Sequence, residues 1–184
     1  MTDCENIAKE SPKWFVMNAY KAERRAEEEL QNDNRFNVFI AKRYAIRTRH
    51  GKQMRELTPV IPNIIFVHAS YSDIDQFQSQ RPYLNFATFQ ENGQRRIMTV
   101  PDRQMQNFIG IARQVEEEII YFRPEEVNLS KGTRVKVIGG MFDGIEATLL
   151  KVKGKRSKRI VVLIDGIAAV AATEIEPHLL QILP

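Results

Sequence analysis

One stretch limits the fold more than any other: Gly132-Thr133-Arg134-Val135-Lys136-Val137-Ile138-Gly139-Gly140-Met141-Phe142-Asp143-Gly144. Val135 and Val137 alternate with Arg134 and Lys136, the two-residue period of a strand with one apolar and one basic face. Gly139, Gly140 and Gly144 bracket Phe142. They supply the positive-φ backbone of a tight loop while the ring plugs the open end of a core. A small antiparallel barrel is expected from here on, with strands near 133–139, 145–152 and 159–165, then Ala168 to Thr173 and a final turn through Pro177. Ile160-Val161-Val162-Leu163-Ile164 is continuous and β-branched, as a strand crossing a barrel core should be.

The preceding part mixes periods. Trp14 to Tyr20 reads as a strand, and Ala22, Ala26 and Leu30 mark one face of a helix whose other face is charged. Phe36 to Thr48 reads as a strand, Gly51 turns it, and Leu57 to Ala69 returns. Ser72 is expected to cap a short helix through Phe77. Phe86 to Phe89 and Arg96 to Thr99 flank Asn92-Gly93, a hairpin signal. A third helix from Pro101-Asp102 places Met105, Phe108, Ile109 and Ala112 on one side. The fold class is α+β: an antiparallel sheet with flanking helices, then a barrel. The polar, proline-containing segment 116–130 reads as a linker. The expected division is a flexible tail at 1–12, a domain at 13–115, the linker at 116–130 and the barrel at 131–184.

Charge separates these parts. Residues 1–127 hold 18 Lys+Arg against 18 Asp+Glu, while 128–184 hold 9 against 5, so the whole net +4 belongs to the carboxy-terminal part. Cys4 is the single cysteine, which excludes an intramolecular disulfide and fits a reducing compartment. Asp3 and Glu5 replace a basic leader, and no apolar run reaches the ~20 residues of a membrane span. A cytoplasmic protein is expected. His50, His68 and His178 lie in unrelated contexts without metal-ligand spacing, and there is no Walker loop, dinucleotide fingerprint or Gly-x-Ser-x-Gly. The chain is read as no enzyme, with no metal or cofactor.

The residues at 132–144 form the pattern of a KOW motif, which in the proteins that carry it opens a small SH3-like barrel. Lys13-Trp14-Phe15-Val16-Met17-Asn18-Ala19-Tyr20 resembles the opening strand of the NusG amino-terminal domain, and Ile61-Pro62-Asn63-Ile64-Ile65-Phe66-Val67 its Phe-Pro-Gly/Asn-Tyr-x-Phe-Val strand. Three motifs in order, from Lys13 to Leu183, make the chain similar to NusG-like transcription elongation factors. The Pro62-Asn63 pair leans towards the specialised RfaH and UpxY type. The resemblance implies a monomeric antitermination factor that binds the RNA polymerase clamp and suppresses pausing and termination on long operons. The alternative is a ribosome-associated KOW protein that binds structured RNA.

Four surfaces are candidates. In NusG-like proteins the exposed side of the strand carrying Ile61, Pro62, Ile64 and Phe66 grips the clamp helices of the polymerase; the bland reading makes all four core. Ile64 stands where the family usually has tyrosine. Lys21, Arg24, Arg25, Gln76, Gln80 and Arg81, with Gln78 and Ser79, correspond to positions that read the non-template DNA strand in RfaH-like proteins. Equally, they are a solvated helix face with Glu23 and Glu27 nearby. Lys42, Arg43, Arg47, Arg49, Lys52 and Arg55 form a basic hairpin, suited either to upstream DNA or to protecting an edge from aggregation. Lys151, Lys153, Lys155, Arg156, Lys158 and Arg159 crowd a barrel hairpin and suit RNA or a ribosomal contact through phosphates. The loop Ile164-Asp165-Gly166-Ile167 lacks the aromatic that NusG itself uses to contact Rho and a small-subunit ribosomal protein. That departure favours antitermination.

Overall fold

The computed structural model describes residues 11–114, 119–123, 126, 128–151, 156–164 and 166–184, and Cys4 lies outside them. The chain forms two compact units. The first comprises the chain up to Ile40 together with Asn63–Asp102, and the second comprises Ala41–Pro62 and Arg103–Pro184.

The first unit is built on an antiparallel sheet in the order β2 (Asn37–Phe39), β5 (Ile64–Ala69), β1 (Lys13–Ala19), β6 (Leu84–Phe86). Strand β9 (Thr99–Val100) pairs with β1 beside β6, and the hairpin of β7 (Thr88–Glu91) and β8 (Gln94–Ile97) leaves the sheet between them. Asn92 and Gly93 both take positive φ, 50° and 77°, the turn whose twist matches the flanking strands. Alternation sends Phe15, Met17, Ala19, Ile65, Val67 and Ala69 to one face. Helices α1 (Glu23–Gln31) and α2 (Tyr71–Ser79) cover that face with Ala26, Leu30, Ile74 and Phe77.

Three details differ from the sequence reading. The cap of α2 is Ser70, whose side chain accepts from the Asp73 N–H at 3.2 Å. Ser72 falls one residue inside the helix. The long strand expected over Phe36 to Thr48 is two strands in different sheets, β2 and β3 (Lys42–Arg49), and the returning strand likewise divides into β4 (Lys52–Pro59) and β5. The first run carries no mark of where its partner changes, whereas the second breaks at Pro59 and Pro62-Asn63, between β4 and β5.

In the second unit β3 and β4 form a two-stranded ribbon closed by His50 (φ 50°) and Gly51 (φ 75°). Six antiparallel strands follow the order β10 (Ile120–Phe122), β14 (Ala168–Glu174), β13 (Lys158–Ile164), β12 (Glu146–Lys151), β11 (Thr133–Val137), β15 (Leu180–Ile182). Residues 120–122, expected within a linker, instead pair with β14. Ile120 and Phe122 pack beside Leu150 and Val161, which supplies the apolar burial that a short edge strand needs. Pro124, Glu125 and Val127 lie outside the described residues. Gly139, Gly140 and Gly144 take φ of 88°, 72° and 80°, and Phe142 is buried between them, as the loop chemistry requires. Helix α3 (Asp102–Ala112) buries Met105, Phe108, Ile111 and Ala112. Ile111 takes the place expected for Ile109. Among the described residues no helix is long and apolar enough to cross a membrane.

Candidate functional site

The face of the first sheet opposite the helices carries Ile64 and Phe66 of β5 beside Asn18 and Val16 of β1, and Phe39 of β2. Trp14 and His68 continue it, with ring centroids 5.1 Å apart. Phe66 is 1% exposed and lies 6.4 Å from the Phe39 ring, whereas Ile64 is half-buried and Asn18 exposed. The face is therefore closed in its middle by Val16, Phe66 and Phe39, and half-buried side chains remain at both ends, Ile64 at one and Trp14 with His68 at the other. Ile61 is half-buried and Pro62 exposed in the connection that leads into β5.

Asn63 holds the Ile64 end in place. It adopts φ 63°, a left-handed conformation that asparagine tolerates better than other residues with a side chain, apart from glycine. Its carbonyl accepts from the Ala19 N–H at 2.7 Å, its Oδ1 from the Lys21 N–H at 3.0 Å, and its own N–H donates to Glu23 Oε1 at 2.9 Å. One residue thus ties the end of β1, the start of α1 and the start of β5. Pro-Asn is legible as a turn. Its partners, about forty positions earlier in the chain, are not.

The proposed DNA-contacting cations meet the carboxylates of their own helix. Arg24 pairs with Glu28 at 2.9 Å, and Arg25 with Glu29 at 2.7 Å. Arg81 reaches across from the end of α2 to Glu29 at 2.5 Å and also donates to the Phe77 carbonyl. Hydrogen bonds from Arg25, then from Arg81, hold the Glu29 carboxyl down at about 2. The Arg25 guanidinium lies 4.6 Å from the Tyr83 ring centroid, and burial pushes that phenol up. Lys21, with φ 52°, stands exposed at the start of the same region. Gln76 is exposed on α2 and Gln80 at its C-cap, and the Gln76 amide oxygen accepts from Arg35 at 3.5 Å. The structure therefore brings Arg25 and Arg81 together on Glu29, while Arg24 forms a separate, exposed pair with Glu28.

On the ribbon, strand register sorts the basic residues by face. Arg43, Arg47, Arg49 and Lys52 share one side with Glu56, and Lys42 and Arg55 share the other with Tyr44, Ile46 and Leu57. Arg49 pairs with Glu56 at 3.3 Å, and the Arg55 guanidinium stacks 3.7 Å above the Tyr44 ring.

At the barrel hairpin, Lys151, Arg156 and Lys158 are exposed, while Lys153 and Lys155 lie outside the described residues. Arg159 departs from the expectation. It is 5% exposed, at a register shift in β13 between Arg159 and Val161, so it is withdrawn from any surface contact. In the loop after β13, Ile164 is buried, Asp165 lies outside the described residues, and Gly166 turns with φ 71°.

Residues 12–109 match the protein-family model described as "Transcription termination factor nusG". No curated protein matches the chain.

Proposed function

Because the chain belongs to the NusG family, and so is a non-enzymatic factor of transcription elongation, termination and antitermination that works with RNA polymerase, we propose that it is a specialised antiterminator of the RfaH and UpxY type. It docks through the Ile64 end of the β1–β5 face onto the clamp helices of the polymerase. The observation that carries this reading is the Asn63 clamp, which holds Ile64, a half-buried apolar residue, at the start of β5 beside the buried Phe66. Ile61 and Pro62 contribute from the connection. Bound there, the factor favours the closed clamp over the opened, paused one, by no more than its difference in affinity for the two states.

Lys21, Arg24, Arg25, Gln76, Gln80 and Arg81 face the non-template strand in this reading. Phosphates then compete with Glu28 and Glu29 for the arginines, so the contact adds little affinity and more positioning. The carboxy-terminal barrel is read as a KOW domain that meets RNA or a small-subunit ribosomal protein through Lys151, Arg156 and Lys158. Family membership over residues 12–109 favours the polymerase factor over the ribosome-associated alternative.

The test is Ile64→Glu. An unpaired charge in an apolar contact costs on the order of several kcal/mol, so retention on immobilised RNA polymerase should disappear while the circular dichroism spectrum stays that of the wild type. A folded variant with undiminished polymerase affinity removes this face from the mechanism.

A further inference from the structure

The apolar layer between the first sheet and its helices stops short of one edge. Lys13 and Phe15, two apart on β1, project to the side that α1 and α2 cover, and so do the residues opposite them, Ala69 of β5 and Thr99 of β9. Phe15 is buried, but beyond it Ala69 carries only a methyl group and β9 has just two residues. A cavity of about 320 Å³ remains there, lined among the described residues by Ser11, Lys13, Phe15, Tyr71 and Thr99. Two kinds of group meet in it. Phe15 and Tyr71, the first residue of α2, form an aromatic wall, their ring centroids 6.3 Å apart at 55°. Phe86 fixes that wall, stacking on Tyr71 at 5.6 Å and meeting Phe15 edge-on at 5.6 Å. Tyr71 is still 41% exposed, so the ring is held without being covered. Around it stand Lys13, Ser11 and Thr99, all exposed: an ammonium with donors and no acceptor, and two hydroxyls able to donate. No carboxylate lines the cavity among the described residues, and among them Lys13 has no ion-pair partner.

We propose that this cavity binds a small aromatic carboxylate, a single ring joined to its carboxyl group by a short chain. The ring lies against Phe15 and Tyr71, where an offset or edge-on contact with a third ring adds to the burial of its area. The carboxylate accepts hydrogen bonds from the Lys13 ammonium and from the Ser11 and Thr99 hydroxyls. The volume is at the small end of the ~300–1,000 Å³ of small-molecule sites, a size that suits one ring and a short chain. A cationic ligand would meet Lys13 with no lining acid to offset it, and an aliphatic acid would forgo the contacts between rings. The site is independent of the proposed polymerase docking. Lys13 opens β1, whereas Ile64 pairs with Asn18 near the other end of that strand and on the other face of the sheet.

The experiment titrates the full, isotope-labelled chain with 3-phenylpropionate and follows the backbone amide resonances. The amides of Lys13, Tyr71 and Thr99 should shift together and saturate, with a Kd on the order of 1 mM for a ligand of so few atoms. 3-Phenylpropionamide keeps the ring and loses the charge, and should bind about 10-fold more weakly. 3-Cyclohexylpropionate keeps the charge and loses the aromatic face, and should bind weaker by roughly 2- to 10-fold. Lys13→Gln, a change at an exposed position, should weaken the acid about 10-fold and leave binding of the amide as it is. Tyr71→Ala should weaken both. No saturating shift at the three amides with millimolar acid overturns the proposal, and so does a Lys13→Gln variant that binds the acid as the wild type does. Shifts confined to Lys151, Arg156 and Lys158 overturn it as well, since they mark a general attraction of anions to the basic barrel hairpin.

Discussion

Asn63 offers the sharpest test of how the β1–β5 edge is held. Replacing it with alanine removes the Oδ1 acceptor of the Lys21 N–H and places a β-carbon at φ 63° without the local hydrogen bonding that makes asparagine tolerable there. The lost bond is exposed, so its net worth is at the low end, about 0.5–1 kcal/mol. The left-handed backbone costs a non-glycine residue ~1–2 kcal/mol, part of which asparagine already bears. The sum is a loss of about 2 kcal/mol for Asn63→Ala. Asn63→Gly loses the same bond but none of the backbone fit, and adds only the chain entropy of glycine, so about 1 kcal/mol is expected. The backbone bonds to Ala19 and Glu23 survive both changes. Trp14, the one tryptophan, lies in β1 of the same sheet, so its emission during urea unfolding reports this unit. Asn63→Ala within ~0.5 kcal/mol of the wild type, which is the scatter of ordinary surface changes, or Asn63→Gly less stable than Asn63→Ala, would refute the clamp.

Three further changes probe other links. Glu29 sits at about 2 rather than 4.5, so its contribution is full above pH 4.5 and is lost as pH falls from 4.5 towards 2. Because the side chain is 29% exposed, screening reduces the effect to about 1 kcal/mol. The stability gap between wild type and Glu29→Gln, measured by urea unfolding, should be open at pH 6 and nearly closed at pH 2.5; a gap that widens in acid contradicts the assignment. In the second unit, a β-carbon on Gly132 would lie 2.1 Å from Thr148 Cγ2 and 3.2 Å from the Leu149 carbonyl, whereas one on Gly110 would meet at 2.8 Å only the movable end of Ile145. Gly132→Ala should cost ~1–3 kcal/mol by overpacking. Gly110→Ala gains ~1 kcal/mol of helix propensity against its clash and should be near neutral. Amide exchange of β11 and β12 should rise in the first and not in the second, and the reverse order would show that these approaches do not limit packing.

How much of this was legible in the residues themselves follows from the range of the forces involved. Local constraints are written locally. The positive-φ glycines at 139, 140 and 144, the Asn92-Gly93 turn, the faces of α1 and the continuous strand at 160–164 all follow from neighbours within a few positions, and the structure has them. The family itself is carried by such short motifs. Tertiary structure decided whatever depends on a partner far along the chain. Phe36 to Thr48 divides between two sheets because β2 meets β5 and β3 meets β4. Ile120 to Phe122 leaves the expected linker because Leu150 and Val161 offer it an apolar seat. Arg159 is buried by a register shift that its basic neighbours give no hint of. Arg25 and Glu29 stand four apart on α1, a pairing that helix spacing offers, but only the fold brings Arg81 from 52 positions away to the same carboxylate. Charge is therefore countable from the sequence. Whether it is available to a partner is fixed by which side chains the packed elements bring within a few ångströms, since at that distance an ion pair forms before any ligand arrives.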